Sequence, residues 1–306
     1  MTSNRSLMPT AFYDAVVIYN TQPVTRPVAK KRRREQRYIF YMPQPPLLFE
    51  NHTKYNMETI LPKYYNWTMS YRADSDISLP RAQVVPGPGP RGWLAPADPP
   101  PSPDVVESLP PVPPQSGVSE NPVRVAFFNE FCHLEPTTRA FVAVLKRFLR
   151  VDEMGRCKDL TWPRAADPPR ALARDYDFYL ILADEGCRDY EVEKLYDYLP
   201  LDIVSVVSGS GNYIAVLPPH SFVNAREFRS VSDLAVYLLF LAQHPKEYAK
   251  FSWWKSHYKL VRSPPANLCR LCEKLQQPQP PKAYVSVWKY WHGQYMCRFD
   301  DGEVFA

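Results

Sequence analysis

The sequence predicts an α/β fold built on parallel sheets, and three observations lead to this prediction. Short runs rich in β-branched and aromatic residues are bounded by polar residues or proline, as buried parallel strands are. In the C-terminal half these runs alternate with stretches of helical spacing, which is typical of a parallel sheet covered by helices on both faces. A proline-rich stretch separates this half from a smaller N-terminal part, so the 306 residues are expected to form two domains.

The predicted elements follow one another in a regular order along the chain. In the N-terminal part, the runs DAVVIY (Asp14–Tyr19) and RYIFYM (Arg37–Met42) predict two strands. After the proline-rich stretch, strands and helices alternate. The predicted members are strand Val123–Phe128, helix Thr137–Leu149, strand Phe178–Ala183, helix Tyr190–Tyr198, strand Ile203–Gly209 and helix Val231–Gln243.

Proline usage predicts the domain boundary. Fourteen of the 34 prolines lie between Pro80 and Pro122. Because proline has no backbone N–H and a fixed φ, this segment is expected to be an extended polyproline spacer, although a proline-reading module could also bind it. The expected division is an N-terminal domain at 1–80, a disordered linker or insert at 81–122 and a C-terminal domain at 123–306.

Charge and hydropathy argue against a nucleic-acid partner, a membrane-spanning segment and a signal peptide. The net charge of +5 is mild, and much of it comes from KKRRR at Lys30–Arg34. Such a run fits a nuclear import signal, a nucleic-acid patch or a solvated loop; since no RNA-binding motif accompanies it, no nucleic-acid partner is predicted. A nuclear or scaffold role through this run and the proline tract is the alternative from another class. No apolar run approaches the roughly 18 to 20 residues that span a bilayer, and the first thirty residues lack a signal-peptide core.

The run RDYEVEKL (Arg188–Leu195) is the strongest candidate for a functional site. It follows a predicted buried strand, and ligands of α/β sheets bind at the carboxyl ends of strands, where helix N-termini offer free N–H groups to anions. Tyr190 can stack on a base or sugar, Glu193 can accept hydrogen bonds from ribose hydroxyls, and Lys194 can place a charge on a phosphate. The pattern therefore predicts a phosphate-bearing ligand, although the solvated face of an ordinary amphipathic helix would also fit.

Two long blocks resemble one known family. The run FYLILADEGCRDYEVEKL (Phe178–Leu195) resembles the donor-site signature of the α1,3-fucosyltransferases, and YNWTMSYRADSDI (Tyr65–Ile77) resembles their acceptor-side segment. The runs IVSVVSG and LPPHSF and the segment from Ser230 to Trp254 are similar to further parts of the donor domain. The tail that begins with CRLCEKL at Cys269 is similar to the invertebrate and plant enzymes that act on the N-glycan core.

The resemblance implies both a fold and an activity. The fold would be the glycosyltransferase B (GT-B) architecture, with two Rossmann-like domains facing a cleft and the N-terminal one shortened. The activity would be inverting transfer of fucose from GDP-fucose to the 3-hydroxyl of a GlcNAc residue in an N-glycan. No cofactor would be required, with Mn²⁺ or Mg²⁺ at most a stimulant. The place of action would be the Golgi lumen, with the membrane reached only through an anchor absent from this chain.

The resemblance also implies roles for particular residues. Arg139 matches the family's phosphate-binding arginine with one extra residue in the spacing. The implied donor-binding residues are Arg139, Asp184, Tyr190, Glu193 and Lys194, and Glu193 is also assigned to the catalytic group. On the acceptor side, the matching positions are Trp67, Tyr71, Arg72, Asp74 and Asp76.

Some positions depart from the family pattern. Gln44 stands where the family's proposed catalytic base is a glutamate, and a carboxamide cannot accept a proton at neutral pH. Either Glu50 or Asp74 could substitute as the base. Glu130 and Asp184 also replace the usual residues near the donor. The alternative function is therefore a catalytically impaired relative that binds nucleotide sugar or glycan without efficient turnover.

The acidic pair and the cysteines leave alternatives open. Asp74 and Asp76 form a DxD triplet that could hold a divalent cation, but we interpret it as a loop cap or a salt-bridge pair. Cys269 and Cys272 form a CxxC with Cys297 downstream, and a zinc site would need His292 as a fourth ligand; disulfides are the favoured interpretation. The resemblance pairs Cys132 with Cys157. Of three glycosylation sequons, at Asn4, Asn51 and Asn66, the last is expected to be structural.

Overall fold

The chain forms two compact units, and each unit is built from segments that are far apart in the sequence. The computed structural model describes residues 7–19, 32–43, 62–80, 82–87, 96–114, 123–129, 136–155, 167–182, 186–187, 189, 195–209, 212–262, 265–292 and 297–298. The first unit comprises Met1–Arg81, Cys187–Tyr190 and Arg262–Arg298, and the second comprises Ala82–Gly186, Glu191–Val261 and Phe299–Ala306. The segment Arg262–Arg298 thus clusters with the N-terminal residues, and the predicted division at 80 and 123 stays a prediction.

The first unit contains a sheet of four parallel strands that neighbour one another in chain order. The strands are Ala15–Tyr19, Arg37–Met42, Trp67–Ser70 and Ile77–Ser78. The first two are confirmed as predicted, with the first beginning one residue later. The central strands are buried on both faces, which is why they read as continuous apolar runs rather than as an alternating pattern.

Helices from the C-terminal tail cover both faces of this first sheet. On one face, Leu271 of helix Pro265–Gln276 packs with Ile39 and Trp67. On the other face, Trp291 of helix Val287–His292 packs with Phe40. A parallel sheet needs apolar cover on both sides, so the tail completes a unit that looked shortened from its N-terminal residues alone.

The second unit contains a sheet of five parallel strands in a doubly wound order. From one edge to the other the strands are Val223–Asn224, Val204–Ser208, Phe178–Leu182, Arg124–Asn129 and Arg150–Gly155. Counted from the opposite edge and numbered along the chain, the order is 2-1-3-4-5, which reverses direction between the first and third strands. The three strands predicted for this half are confirmed to within one residue at each end.

Two separate apolar layers flank the five-stranded sheet. Phe178 and Leu180 face the long helix Val231–Gln243 and the helix Pro136–Leu145. Tyr179 and Ile181, which alternate with them, face the layer that contains Leu172 and Tyr198 of helices Pro168–Asp175 and Leu195–Tyr198. Alternate residues of one strand therefore enter opposite cores, as the two-residue period of a strand requires.

The ends of the predicted helices match the ends seen in the structure to different degrees. The long helix begins where the Ser230 hydroxyl accepts a hydrogen bond from the Asp233 backbone N–H at 3.1 Å. It ends at Gln243, two residues before Pro245, as predicted. The helix predicted over Thr137–Leu149 instead runs from Pro136 to Leu145. The chain then continues as a turn with hydrogen bonds between residues three and four apart, in which Phe148 is buried. Of the helix predicted over Tyr190–Tyr198, Leu195–Tyr198 is described and is helical.

The remaining elements are short. They are the strands Ala82–Pro86, Gly186–Cys187, Tyr258–Arg262 and Cys297–Arg298, the helices Tyr213–Val216 and Pro245–Ala249, and the 3₁₀ turns Thr10–Phe12, Pro103–Ser108, Ala225–Glu227 and Lys250–Ser256. The longest described helix has 13 residues, whereas a bilayer-spanning helix needs about 20 apolar ones. Within the described ranges, then, no helix is both long and apolar enough to cross a membrane.

Part of the proline-rich segment is packed structure rather than a free spacer. Ala82–Pro86 pairs with Tyr258–Arg262 as a two-stranded sheet. The turn Pro103–Ser108 places Val105 and Val106 against the core of the second unit. Nearby, the Tyr237 hydroxyl donates a hydrogen bond to the Pro101 carbonyl at 2.7 Å, and burial raises the pKa of this tyrosine. The prediction of an extended linker is therefore wrong for these described residues, because their valines and free carbonyls find partners on the second unit.

Candidate functional site

The switch point of the five-stranded sheet is the first candidate site. Ligands of doubly wound sheets bind outside the carboxyl ends of the strands at the point where the strand order reverses. In the second unit this point lies between the strands that end at Asn129 and Leu182. The motif Arg188–Leu195 follows the second of these strands along the chain, which is the reason for treating this edge as the candidate donor site; the site itself stays a prediction.

One predicted donor-site residue is described. Arg139 is the fourth residue of helix Pro136–Leu145, which follows the strand ending at Asn129, and its side chain is exposed. An exposed guanidinium in the first turn after a switch-point strand is suitably placed for an anion. The predicted residues Gln44, Asp184, Tyr190, Glu193 and Lys194, together with Glu50 and Glu130, lie outside the described residues, so their roles stay predictions.

The acceptor-side block forms an unusually short connection in the first unit. Strands Trp67–Ser70 and Ile77–Ser78 are parallel and adjacent, yet residues 71–76 alone join them. A parallel connection usually takes a dozen or more residues. The Tyr71–Asp76 loop therefore folds back along strand Trp67–Ser70. The Leu79 N–H, just after the second strand, donates a hydrogen bond to the Ser70 carbonyl at 2.7 Å. This reversal brings the polar side chains of the block together.

Arg72 and Asp74 form the inner ion pair of the loop. The Arg72 Nε donates to Asp74 Oδ1 at 2.8 Å, and its Nη2 donates to the other carboxylate oxygen. The same guanidinium lies 4.0 Å from the Tyr290 ring centroid and donates to the Tyr290 carbonyl. Arg72 is 4% exposed, so a charged group is buried with a bidentate partner, an aromatic face and a carbonyl.

Asp76 anchors the end of the loop to the strand and the tail. Its Oδ2 accepts hydrogen bonds from the Thr68 backbone N–H at 3.0 Å and the Tyr284 hydroxyl at 2.8 Å, and its Oδ1 accepts from Lys282 Nζ at 2.6 Å. Partial burial opposes the charge on Lys282, but its bonds to Asp76 and Tyr284 prevail and raise the pKa of the lysine. Burial also raises the pKa of Tyr284, which keeps its hydroxyl a donor.

The acidic pair is therefore structural. Asp74 and Asp76 each hold an ion pair, with Arg72 and Lys282 respectively. The interpretation of the DxD triplet as a salt-bridge pair is confirmed. Among the described side chains, no group of three or more His, Cys, Asp or Glu residues could hold a metal ion.

Trp67 and Tyr71 are core residues of the first unit. Trp67 is 2% exposed, with the Arg37 guanidinium 5.6 Å and the Lys274 ammonium 5.3 Å from its ring centroid. Tyr71 packs edge-on against Trp291 at 5.7 Å between centroids. The structure thus brings all five predicted acceptor-side residues into one region, and these two side chains are buried in the core beneath the loop; their role toward an acceptor stays a prediction.

Asn66 joins three parts of the first unit. Its Oδ1 accepts hydrogen bonds from the Tyr38 backbone N–H at 2.8 Å and from Arg32, and its Nδ2 donates to the Lys282 carbonyl at 2.8 Å. The expected structural role is confirmed. Because the amide nitrogen is buried and bonded, the sequon at Asn66 is closed to glycan attachment in the folded unit.

We expect Asn66→Ala to lower the free energy of unfolding by about 2 kcal/mol, because the Tyr38 N–H and the Lys282 carbonyl lose their partner inside the structure. Urea denaturation followed by circular dichroism measures the change. Asn66→Asp is the matched comparison: it keeps the acceptor oxygen and loses the donor, so its cost should be smaller than that of alanine. An alanine variant as stable as the wild type would contradict the structural role.

The CxxC motif lies inside a helix as two free thiols. Cys269 and Cys272 are exposed on helix Pro265–Gln276 and are not joined in a disulfide. The favoured interpretation of these two cysteines as disulfide-bonded is therefore wrong for this structure. Cys132 and Cys157, and the side chains of Cys297 and His292, lie outside the described residues.

Asp189 is a residue of the predicted donor motif to which the sequence alone assigns no separate role. It lies within the RDYEVEKL motif, has a left-handed backbone with φ of 60°, and accepts a hydrogen bond from the Ala73 backbone N–H at 3.2 Å through Oδ2. Ala73 is in the middle of the acceptor-side loop. The available signal was the residue type, since aspartate is among the few non-glycine residues that tolerate a left-handed backbone.

Two family models together account for most of the chain. The model described as Glycosyltransferase family 10 (fucosyltransferase) C-term matches residues 119–291, and the model described as Fucosyltransferase, N-terminal matches residues 1–82. The chain belongs to glycosyltransferase family 10. The resemblance drawn from the two sequence blocks is thereby confirmed.

Individual relatives agree with this membership. The chain is 33% identical to alpha-(1,3)-fucosyltransferase C of Drosophila melanogaster, covering 96% of this chain and 68% of the relative. It is 30% identical to a 3-galactosyl-N-acetylglucosaminide 4-alpha-L-fucosyltransferase of Pan troglodytes, covering 90% and 68%. A solved alpha1,3-fucosyltransferase with GDP-fucose superposes with a TM-score of 0.52 at 12% identity, covering 90% of this chain and 81% of that one. The fold is the predicted α/β fold of the GT-B class.

Proposed function

We propose that this family 10 chain is an inverting α1,3-fucosyltransferase that moves fucose from GDP-fucose to the 3-hydroxyl of a GlcNAc residue in an N-glycan. The observation that carries the proposal is the family match over both parts of the chain. The Drosophila relative, named for α1,3 transfer, supports the linkage, and the solved neighbour that contains GDP-fucose supports the donor.

The donor would bind at the carboxyl edge of the five-stranded sheet. Breaking the bond between fucose and GDP leaves negative charge on the departing diphosphate, so cations and N–H donors must be placed there. Arg139 and Lys194 supply the cations in this proposal, and the forked guanidinium suits two phosphate oxygens. Tyr190 and Glu193 would contact the nucleotide and fucose in this proposal, and Asp184 precedes them in the sequence.

The acceptor hydroxyl would be deprotonated at the edge of the first sheet. Asp74 and Asp76 already accept several hydrogen bonds within the first unit, so neither is the favoured base. That leaves Glu50 as the proposed base, because Gln44, which stands at the family's base position two residues beyond strand Arg37–Met42, cannot take the proton. General-base catalysis is typically worth about 10² to 10⁴ in rate, so the identity of this group decides how fast the enzyme is.

The proposal extends to cofactor and compartment. Arg139 and Lys194 would neutralise the diphosphate without a metal, so transfer should continue in EDTA, with Mn²⁺ or Mg²⁺ as at most a stimulant. The Golgi lumen is the proposed place of action, where GlcNAc-containing glycans are processed. Co-localisation of the tagged chain with a Golgi marker would test the compartment.

The direct test is to incubate the purified chain with GDP-fucose and an N-glycan that ends in GlcNAc. A mass increase of one deoxyhexose on the glycan is expected, with an α1,3 linkage by NMR. An acceptor in which the 3-hydroxyl is methylated is the matched control and should not react. Transfer to a different hydroxyl would overturn the proposed linkage.

An impaired relative is the second candidate, favoured by the glutamine at position 44. In that case isothermal titration should show GDP binding while transfer stays at the background rate. The absence of GDP binding at millimolar ligand would overturn both candidates.

A further inference from the structure

Tyr290, in the tail, contacts the acceptor-side loop through three different groups. Its carbonyl accepts a hydrogen bond from the Arg72 guanidinium, and its ring centroid lies 4.0 Å from Arg72 Cζ. Its hydroxyl lies 2.9 Å from Ser75 Oγ and 3.3 Å from Asp74 Oδ1. All of these residues belong to the first unit. One tail residue therefore holds both the beginning and the end of the loop.

The Tyr290 hydroxyl is also the last link of a chain of hydrogen bonds. The Arg72 backbone N–H donates to Ser70 Oγ at 3.3 Å, and Ser70 Oγ lies 2.5 Å from Ser75 Oγ. The Tyr290 hydroxyl follows and ends the chain at Asp74. A backbone N–H can only donate, an ionised carboxylate can only accept, and each hydroxyl has one hydrogen. The three hydroxyls therefore form a relay in which every one donates toward the Asp74 carboxylate.

The surroundings of this hydroxyl relay strengthen its last bond. Ser70 is fully buried at the end of its strand. Burial raises the pKa of Tyr290, so its hydroxyl keeps the proton that it donates. Hydrogen bonds in a chain polarise one another when water is largely excluded. The direction of the Asp74 carboxylate is therefore set by the whole relay together with the Arg72 guanidinium.

Asp74 is the charged member of this network that is open to solvent. Its side chain is 41% exposed, whereas that of Arg72 is 4% exposed. The loop leaves the carboxyl end of strand Trp67–Ser70, and ligands of parallel α/β sheets bind at that edge. A carboxylate is a strong acceptor for hydroxyl donors, and sugars carry such donors. An exposed carboxylate with a fixed direction is thus suited to select one sugar hydroxyl.

We infer that Asp74 accepts a hydrogen bond from the acceptor sugar and that Tyr290 is the positioning residue that orients it. The inference rests on the proposed function and deepens it, because it names a residue that recognises the acceptor. The bound hydroxyl is the 4-hydroxyl or the 6-hydroxyl of GlcNAc, since the 3-hydroxyl reacts and Asp74 is not the base. Tyr290 acts through Asp74 and does not touch the sugar.

Small substitutions interrupt the relay without removing the ion pair. Tyr290→Phe deletes the last hydroxyl and keeps the ring and the carbonyl that hold Arg72. Ser75→Ala breaks the relay one bond earlier, and Ser75→Thr retains a hydroxyl there. Tyr237→Phe is the matched control, because it removes a tyrosine hydroxyl that donates to the Pro101 carbonyl at 2.7 Å in the second unit.

The kinetic constants should separate for the two substrates. Tyr290→Phe and Ser75→Ala should each raise the KM for the glycan about fivefold, the loss expected for one weakened hydrogen bond. Their kcat and their KM for GDP-fucose should change little, and Ser75→Thr and Tyr237→Phe should resemble the wild type. The double variant should also show about a fivefold rise, because both changes break one relay, whereas independent effects would multiply to about 25-fold. An unchanged glycan KM in Tyr290→Phe, or a multiplied effect in the double variant, would overturn the inference.

Deoxy analogues of the acceptor test the contact with Asp74 itself. The probes are N-glycans whose terminal GlcNAc lacks either the 4-hydroxyl or the 6-hydroxyl. With one of them, Tyr290→Phe should no longer change the dissociation constant, because the hydroxyl that Asp74 accepts is missing. A fivefold effect of Tyr290→Phe with both analogues would contradict the contact.

Glycan binding without GDP-fucose distinguishes this inference from the proposed function. Titration of an N-glycan that ends in GlcNAc should show a dissociation constant about fivefold higher for Tyr290→Phe than for the wild type. If this difference is found but no fucose is transferred, the proposed function fails and the inference stands. If fucose is transferred but neither the dissociation constant nor the KM responds to Tyr290→Phe, the inference fails and the proposed function stands. A wild-type chain that does not bind the glycan at millimolar concentration overturns the inference.

Discussion

Replacing Gln44 with glutamate is expected to raise kcat for fucose transfer by about 100-fold, the lower end of the usual contribution of a general base. A glutamine cannot take the proton of the acceptor hydroxyl, whereas a glutamate at the same position can. The resemblance to the family assigns the base to this position, and no other substitution predicted here should change the rate as much.

The topology of the first unit supports the choice of position 44. Strand Arg37–Met42 is parallel to its neighbour Trp67–Ser70, so both strands end at the same edge of the sheet. The Tyr71–Asp76 loop leaves the second of these ends, and residue 44 follows the first end by two residues. Position 44 and the acceptor-side loop therefore start from adjacent strand ends.

Initial rates at saturating GDP-fucose would measure the gain, and the rate of Gln44→Glu should also fall at acid pH as the new carboxylate is protonated. Gln243→Glu, at the exposed end of the long helix in the second unit, adds the same charge away from both sites and should leave kcat unchanged. An unchanged rate in Gln44→Glu would mean that another group, with Glu50 the first candidate, is the base.

Replacing Asp74 with alanine is expected to lower the free energy of unfolding by about 3 kcal/mol. The change removes the carboxylate partner of a buried guanidinium, since Arg72 is 4% exposed; the Tyr290 carbonyl and ring remain in contact with it. Removing one partner of a buried ion pair costs roughly 3 to 5 kcal/mol, and the partial exposure of Asp74 argues for the lower end.

The opposite substitution should be less damaging. Arg72→Met leaves behind a carboxylate that is 41% exposed and can be hydrated, so a cost of about 1 to 2 kcal/mol is expected. Asp14→Ala is the matched control, because its pair with Arg33 at 3.2 Å is exposed on both sides and should contribute about 0.5 kcal/mol or less. Urea denaturation of the three variants checks the order. A larger loss for Arg72→Met than for Asp74→Ala would contradict the argument from burial.

Strands and helices could be predicted from the sequence where the apolar pattern or the end signals lie within the element itself. Runs such as FYLIL at Phe178–Leu182 are apolar at every position because both faces of the sheet are covered. The long helix was bounded correctly because Ser230 and Pro245 mark its ends. Short strands such as Ile77–Ser78 were not predicted, since two residues carry no periodicity.

The sheet that each segment covers could not be predicted from local patterns. The apolar stripe of helix Pro265–Gln276 indicates that it packs on something, but Leu271 packs on the first sheet rather than the second, which is nearer in sequence. Local patterns also could not predict the partners of Asp76 in the DxD triplet, because Lys282 and Tyr284 lie more than 200 residues away in the sequence. The left-handed φ of Asp189 is likewise set by its surroundings.

The dependence of the first unit on the tail has a consequence for biosynthesis. Asn66 and Lys282 are 216 positions apart, so at about 5 to 20 residues per second a ribosome needs roughly 10 to 40 s to make the second after the first. All strands of the five-stranded sheet are synthesised before the tail, whereas the N-terminal strands must wait as nascent chain for their covering helices. In the proposed lumenal route, the Asn66 amide would be accessible to a glycan-adding enzyme during that interval. Whether the sequon carries a glycan would then depend on whether the tail packs onto the first sheet before the enzyme acts.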